Sequence, residues 1–228
     1  MGGASARCHN GFLVLALSPF LYLDHAMLLD PHESQLVLVD YQTRLMPVIF
    51  EGDLATANAV LLAKLAKLLE LPVWGTEQNP ERLGHNDDAV RSLCDRTLSK
   101  MHFSAVPDGL VPWLRPPARS QQGGNARSLP KHLQKAAQAS EDERNTIVIA
   151  GCEAHVCLMQ TALELIGEEF DVWVVTDACS SRTERNRDAA FDRLAGAGAE
   201  LVTTEMVAFE WMRSCENPAF KEMLALVK

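Results

Sequence analysis

The sequence predicts an α/β protein, a Rossmann-like three-layer αβα sandwich with a mostly parallel six-stranded sheet. Short apolar runs alternate along the chain with segments of helical periodicity, as in QLVLV at residues 35–39 and the helical pattern over 54–69. The runs are continuously apolar, which is typical of parallel strands buried on both faces. Strands that alternate with helices of this length indicate βαβ units with right-handed crossovers.

Each element is assigned from its local pattern, in chain order. We predict strands over residues 35–39, 72–76, a short segment just after Lys100, 146–150, 171–176 and 200–203. We predict helices over residues 54–69, 87–96, a segment opening near Cys157, 181–197, 205–213 and 218–227. Ser181 and Glu184 fit a capping box at the start of the helix over 181–197.

Two segments lie outside this pattern. Residues 1–26 contain an apolar run (12–23) that is too short to span a bilayer, and we expect an N-terminal extension ahead of a domain over 27–228. A cleaved signal peptide is the alternative for that run, although its flanks are weak. Residues 116–145 are polar and rich in Gly and Pro, so we predict a surface insertion with a helix near 131–139.

Composition excludes several classes of function. The chain has 228 residues and a net charge of −9, with no block of Lys or Arg, so binding to nucleic acid or to an anionic membrane has no electrostatic support. The six cysteines form no CxxC pair, which argues against a disulfide scaffold or a zinc knuckle. A cytoplasmic protein is the simplest interpretation of this cysteine pattern.

Three reactive residue types follow or adjoin predicted strands. Asp40 follows the first strand, Lys100 lies in LSKMHFSA, and Cys157 opens a helix six residues after Gly151. Ligands of parallel sheets bind beyond the carboxyl ends of the strands, so the three can meet in one pocket. Taken singly, each has a more common structural role: a buried cysteine, a turn aspartate and a surface lysine.

The motifs together resemble the isochorismatase-like cysteine hydrolases, a group that includes nicotinamidases. The resemblance covers about residues 27–228 without the 116–145 insertion. It is carried, in order, by SQLVLVDYQTRLMP, PVWGTEQNPERLG, KMHFS, GCEAHVCLMQTALEL, VVTDACSSRTERNRDAA and NPAFKEM. The TEQ turn places the chain nearest the branch without a metal.

The resemblance implies specific roles. Cys157 is implied as the nucleophile, Asp40 as the general base and Lys100 as the third member of a catalytic triad. It also implies a cis peptide between Cys152 and Glu153, and an oxyanion hole formed by the N–H groups of Glu153 and Cys157. The expected reaction is hydrolysis of a small amide-like C–N bond through a thioester. A carboxylate is a weak base for a free thiol, so Lys100 and the helix N-terminus are expected to lower the pKa of the Cys157 thiol.

Further residues are expected to line the pocket. Gln78, Tyr41, Phe103 and His155 are the predicted substrate-binding residues, with Gln78 contacting substrate or orienting Asp40. Cys152 and Cys179 are expected to be small buried residues, and Arg182 a structural ion-pair partner.

No metal and no other cofactor is predicted. Where metal-binding members of the group carry an Asp-x-His pair, this chain has Glu77-Gln78-Asn79, and Glu77 with His85 alone does not close a metal site. We expect the protein to form a homo-oligomer and to act on a small-molecule substrate.

Two other functions stay open from the sequence. A non-catalytic scaffold would retain the fold with an unreactive Cys157. A nucleotide-binding or redox role is suggested by the sheet alone, but neither a GxGxxG motif nor a P-loop is present.

Overall fold

The computed structural model describes residues 28–116 and 144–228. The strands are β1 (Ser34–Val39), β2 (Val73–Gln78), β3 (Arg96–Lys100), β4 (Thr146–Gly151), β5 (Asp171–Val175) and β6 (Glu200–Val202). The helices are α1 (Gly52–Leu68), α2 (Pro80–Leu83), α3 (Asp88–Arg91), α4 (Val111–Leu114), α5 (Met159–Gly167), α6 (Glu184–Gly196), α7 (Thr204–Met212) and α8 (Phe220–Val227). The predicted N-terminal extension and the helix near 131–139 fall outside the described residues.

The six strands form one sheet in the order β3-β2-β1-β4-β5-β6, and every pairing is parallel. The predicted α/β fold is therefore confirmed, with a sheet that is entirely rather than mostly parallel. The chain builds outward from β1 to β3 and then returns to pair β4 with the other side of β1. The strand order reverses between β1 and β4, which is where ligands bind in sheets of this kind.

Helices cover both faces of the sheet because the chain adds β2 and β3 on one side of β1 and β4, β5 and β6 on the other. Right-handed crossovers place α1, between β1 and β2, on the face opposite α5, between β4 and β5. Helix α1 packs with α7 and α8, and α5 packs with α6. Every residue of β1 and of β4 is buried, so these central strands form the middle of the core.

Gly151 allows β1 and β4 to approach closely at the reversal point. A Cβ atom at this position would lie 2.4 Å from the carbonyl oxygen of Val39 and 2.5 Å from the Val39 Cβ. No side chain larger than hydrogen fits these distances. The glycine therefore fixes the spacing between the ends of the two central strands.

Three local predictions were wrong. Lys100 is the last residue of β3 rather than the residue before a strand. The helix over 87–96 is only the single turn α3, because Arg96 already pairs with Trp74 in the sheet. Helix α6 is capped by Thr183, whose hydroxyl accepts from the Asn186 N–H at 3.3 Å, and not by Ser181.

No helix within the described ranges 28–116 and 144–228 is long and apolar enough to cross a membrane.

Candidate active site

Asp40 begins the site at the carboxyl end of β1. Its backbone is in the left-handed region, with φ at 55°, and its side chain is completely buried. One carboxylate oxygen accepts a hydrogen bond from the Thr76 hydroxyl at 2.7 Å, and the other accepts from the Lys100 ammonium at 2.8 Å. A buried carboxylate is stable only with such partners.

Lys100 reaches Asp40 from the end of β3, two strands away in the sheet. Its ammonium also donates to the Gln78 side-chain oxygen at 2.9 Å and to the Phe103 carbonyl at 2.8 Å, with the His102 carbonyl at 3.4 Å. The side chains of Lys100 and Asp40 are both fully buried. Each proton of the ammonium group therefore has an acceptor, and these hydrogen bonds restrict the movement of the cation.

Cys157 is contributed by the segment that follows β4. A turn of π-helix, Ala154–Leu158, leads into α5, so the helical backbone begins three residues earlier than the sequence indicated. π-helical turns of this kind occur often at functional sites. The Cys157 side chain is 6% exposed and lies beside both Asp40 and Lys100, so the three predicted residues do meet.

The pKa of the Cys157 thiol differs from the expected one. Burial raises the pKa of its thiol to about 12, the neighbouring Asp40 carboxylate acts in the same direction, and Lys100 opposes both. We expected Lys100 and the helix N-terminus to lower this pKa, but removal of the sulfur from water outweighs the effect of Lys100. The resting sulfur therefore keeps its proton, next to a carboxylate that can accept it.

The Cys152–Glu153 peptide is cis, as expected. The Glu153 carboxylate accepts from the backbone N–H of Arg182 at 3.2 Å and from its guanidinium Nε at 2.8 Å. Arg182 is thus the ion-pair partner that the sequence indicated. Cys152 and Cys179 are buried, also as predicted, and burial raises the pKa of both thiols.

The predicted pocket residues fall into two groups. Phe103, 53% exposed, stands at the rim beside Lys100, and half-buried His155 approaches the Ser181 hydroxyl at 3.0 Å. Gln78 is buried and accepts from Lys100, so it orients the lysine and not Asp40. Tyr41 is completely buried and its hydroxyl donates to the Ala178 carbonyl at 2.5 Å, which leaves it no surface for a substrate.

Two supporting residues were not singled out from the sequence. Thr76 holds Asp40, and its position two residues before Gln78 in β2 puts both on the same face of the strand. Gln42 bonds to the backbone N–H and carbonyl of Gln78, each at 2.9 Å, and so fixes the end of β2. Period-2 alternation in β2 could have indicated Thr76, whereas the long-range contact of Gln42 has no local pattern.

Among the residues that the structure describes, no group of three or more His, Cys, Asp or Glu side chains is arranged to hold a metal ion. Glu77 and His85 approach each other at 3.0 Å. The Glu77 carboxylate also accepts from the Asn86 N–H at 2.9 Å, so its oxygens already have protein partners.

The fold and the site define an α/β protein whose reactive groups lie at the reversal point of a parallel sheet, and comparison with known proteins gives the family. The isochorismatase domain profile matches residues 34–206, and the chain belongs to this family, whose hydrolase fold it shares. It is 31% identical over 198 residues to isochorismatase domain-containing protein 2A of Mus musculus, covering 87% of this chain and 84% of that protein.

Two solved structures are similar along most of the chain. One, from Caenorhabditis elegans, is named MAR1 ribonuclease; it is 25% identical, with a TM-score of 0.73, over 88% of this chain and 92% of that one. The other is an octameric hydrolase of unknown specificity from Escherichia coli, 26% identical with a TM-score of 0.69 over 87% of each chain.

Proposed function

We propose that the protein is a cysteine hydrolase that cleaves a small amide-like C–N bond, with Cys157 as nucleophile, Asp40 as general base and Lys100 as the third member of the triad. One observation carries this proposal: a protonated, nearly buried sulfur lies beside a carboxylate and an ammonium that are bonded to each other. A buried thiol surrounded only by apolar groups would be inert.

The reaction begins when Asp40 removes the thiol proton and the sulfur forms a bond to the substrate carbonyl carbon. The negative charge passes to the carbonyl oxygen, which the N–H groups of Glu153 and Cys157 receive in an oxyanion hole; one such donor is worth about 3 kcal/mol in the transition state. Lys100 keeps its positive charge throughout and stabilises the anionic groups around it.

Asp40 then returns the proton to the leaving nitrogen as the C–N bond breaks, which leaves a thioester on Cys157. Water then attacks the thioester while Asp40 accepts its proton. The C–S bond breaks, and the sulfur takes this proton from Asp40 to restore the thiol. The net reaction consumes one water and releases an acid and an amine. Because the resting thiol has a pKa near 12, proton removal and attack are coupled steps in this scheme.

The net negative charge of the chain favours a small-molecule substrate over RNA. The net charge of −9 opposes the approach of a polyanion, although one structural neighbour is named a ribonuclease. The rim of the site carries the exposed apolar side chains of Met101 and Phe103. We therefore propose a compact substrate with an apolar part next to its amide group.

The test is a panel of small amides, imides and ureides, with an RNA oligonucleotide alongside, offered to wild type and to Cys157→Ala. We expect hydrolysis of at least one C–N substrate by wild type, accumulation of a thioester adduct on Cys157 by mass spectrometry, and at least a 10³-fold loss in the alanine variant. Hydrolysis at equal rates by both proteins would contradict the proposal. Cleavage of the RNA alone would replace the proposed substrate class.

We further propose that the protein is a cytoplasmic homo-oligomer. The five cysteines in the described ranges are all unpaired, which fits a reducing compartment. The octameric relative and the exposed Val48, Phe50 and Leu54 near the start of α1 favour self-association. A molar mass of one chain by light scattering would contradict the assembly.

A further inference from the structure

A single carboxylate, that of Asp108, holds the backbone that follows Lys100. One oxygen of this carboxylate accepts from the N–H of Met101 at 3.1 Å and from the N–H of His102 at 3.0 Å. The Nδ1 atom of His102 lies 3.1 Å from the same oxygen. The first two residues after β3 are thus fixed by one side chain from the far end of their own loop.

The same short segment supplies the carbonyls that hold the Lys100 ammonium. The Phe103 carbonyl accepts at 2.8 Å and the His102 carbonyl lies at 3.4 Å. Asp108 and Lys100 therefore bind the same backbone segment, the carboxylate through its N–H groups and the ammonium through its carbonyls. Without the carboxylate, the N–H groups of Met101 and His102 would lose their acceptor, and only carbonyl contacts, such as that of Met101 with the Gln78 amide at 2.9 Å, would remain.

The middle of the loop is tied to the helix that carries the sulfur. The Ser104 hydroxyl donates to the Glu164 carboxylate at 2.7 Å, and the Ala105 N–H donates to the Thr161 hydroxyl at 3.1 Å. Thr161 is fully buried and lies four residues after Cys157 in the helical segment. The 101–108 loop thus connects the position of the ammonium to that of the thiol.

We propose that Asp108 is a positioning residue: by holding the Met101 and His102 amides it sets the carbonyls that keep Lys100 beside Asp40 and Cys157. Its effect on turnover depends on the hydrolase function proposed above, but its effect on the thiol does not. Hydrogen bonds from His102 and Met101 outweigh partial burial and keep the pKa of Asp108 below its ordinary value. The carboxylate is therefore ionised, and a strong acceptor, at neutral pH.

The experiment measures the rate at which iodoacetamide alkylates Cys157, followed by peptide-resolved mass spectrometry so that other cysteines do not interfere. Lys100 lowers the pKa of the Cys157 thiol, so its displacement reduces the reactive thiolate. The rate falls about tenfold for each unit by which the thiol pKa rises. We expect Asp108→Ala to slow alkylation by roughly threefold to tenfold at pH 8, in the same direction as Lys100→Met.

Two variants separate positioning from general loosening. Asp108→Asn retains an oxygen that can accept both N–H bonds, so its rate should stay near that of wild type. Asp30→Ala removes a carboxylate that similarly accepts the His32 N–H, at 2.8 Å, but lies before the amino end of the central strand β1, whereas the candidate site lies at the carboxyl ends of the strands. This control should leave the alkylation rate unchanged.

An unchanged or faster rate in Asp108→Ala would overturn the proposal, and so would an unchanged rate in Lys100→Met. If Asp108→Ala does not fold, hydrogen exchange of the wild-type protein decides: slow exchange of the Met101 and His102 amides is required, and exchange at the rate of free peptide overturns the proposal. Because alkylation needs no substrate, failure of every amide in the panel would leave this result standing.

Discussion

Two charged clusters meet the same strand, β2, from opposite faces. Thr76 and Gln78 face the pair formed by Asp40 and Lys100 and bond to one partner each. Glu77, the residue between them, bonds to His85 at 3.0 Å and lies 3.8 Å from Arg91. The inner pair has no exposed side-chain surface, whereas His85 remains 59% exposed although Glu77 is only 3% exposed.

The two clusters differ in their exposure to solvent, and we therefore expect different roles for them. In the inner pair both charges are out of water and a thiol lies against them, so each charge acts on the sulfur with little screening by solvent. In the outer cluster, water and salt reach His85 and Arg91, the partners of Glu77. We therefore expect the inner pair to control reactivity and the outer cluster to contribute only to the fold.

The largest effect is expected from Lys100→Met, which removes the cation and leaves the Asp40 carboxylate buried without it. Breaking a buried pair in this way costs about 3–5 kcal/mol of unfolding free energy, and any C–N hydrolase activity should be lost with it. Urea unfolding, monitored by tryptophan fluorescence, measures the change in stability. A loss below about 1 kcal/mol would mean that the pair is better hydrated than its burial indicates.

Glu77→Gln is the matched change in the outer cluster. The amide oxygen of the variant can still accept from Asn86, but the ion pair with Arg91 and the carboxylate contact with His85 are lost, so we expect a cost of roughly 1–2 kcal/mol in unfolding free energy. The alkylation rate of Cys157 should equal that of wild type. If alkylation slowed as much as in Lys100→Met, the two faces of β2 would not be independent.

His85→Ala should have the smallest effect, because its ring is mostly exposed and its contact with Glu77 is open to solvent. We expect a change within about 0.5 kcal/mol, in the range of exposed ion pairs. Measurements at low and high salt sharpen the comparison, since salt screens exposed charges but not the buried pair. An effect as large as that of Glu77→Gln would indicate that His85 supplies most of the outer cluster's stability.

The sequence predicted the fold and the meeting of Asp40, Lys100 and Cys157 because continuously apolar strands and strand ends are local patterns. Residues 35–39 and 146–150 read as buried strands, and both are central in the sheet. The thiol pKa, the burial of Tyr41 and the role of Gln78 depend on long-range packing. Burial of Cys157 comes from elements distant in the chain, so no motif around it could reveal that its proton would be retained.

The close contact of Gly151 with Val39 has a consequence for how the chain can vary. Asp40 directly follows Val39, and Cys157 lies six residues beyond Gly151, so the gap between acid and sulfur is set where two backbones touch. A methyl group added there would have to push the central strands apart. The separation of the acid and the sulfur in the candidate site therefore depends on Gly151, a residue that has no reactive side chain.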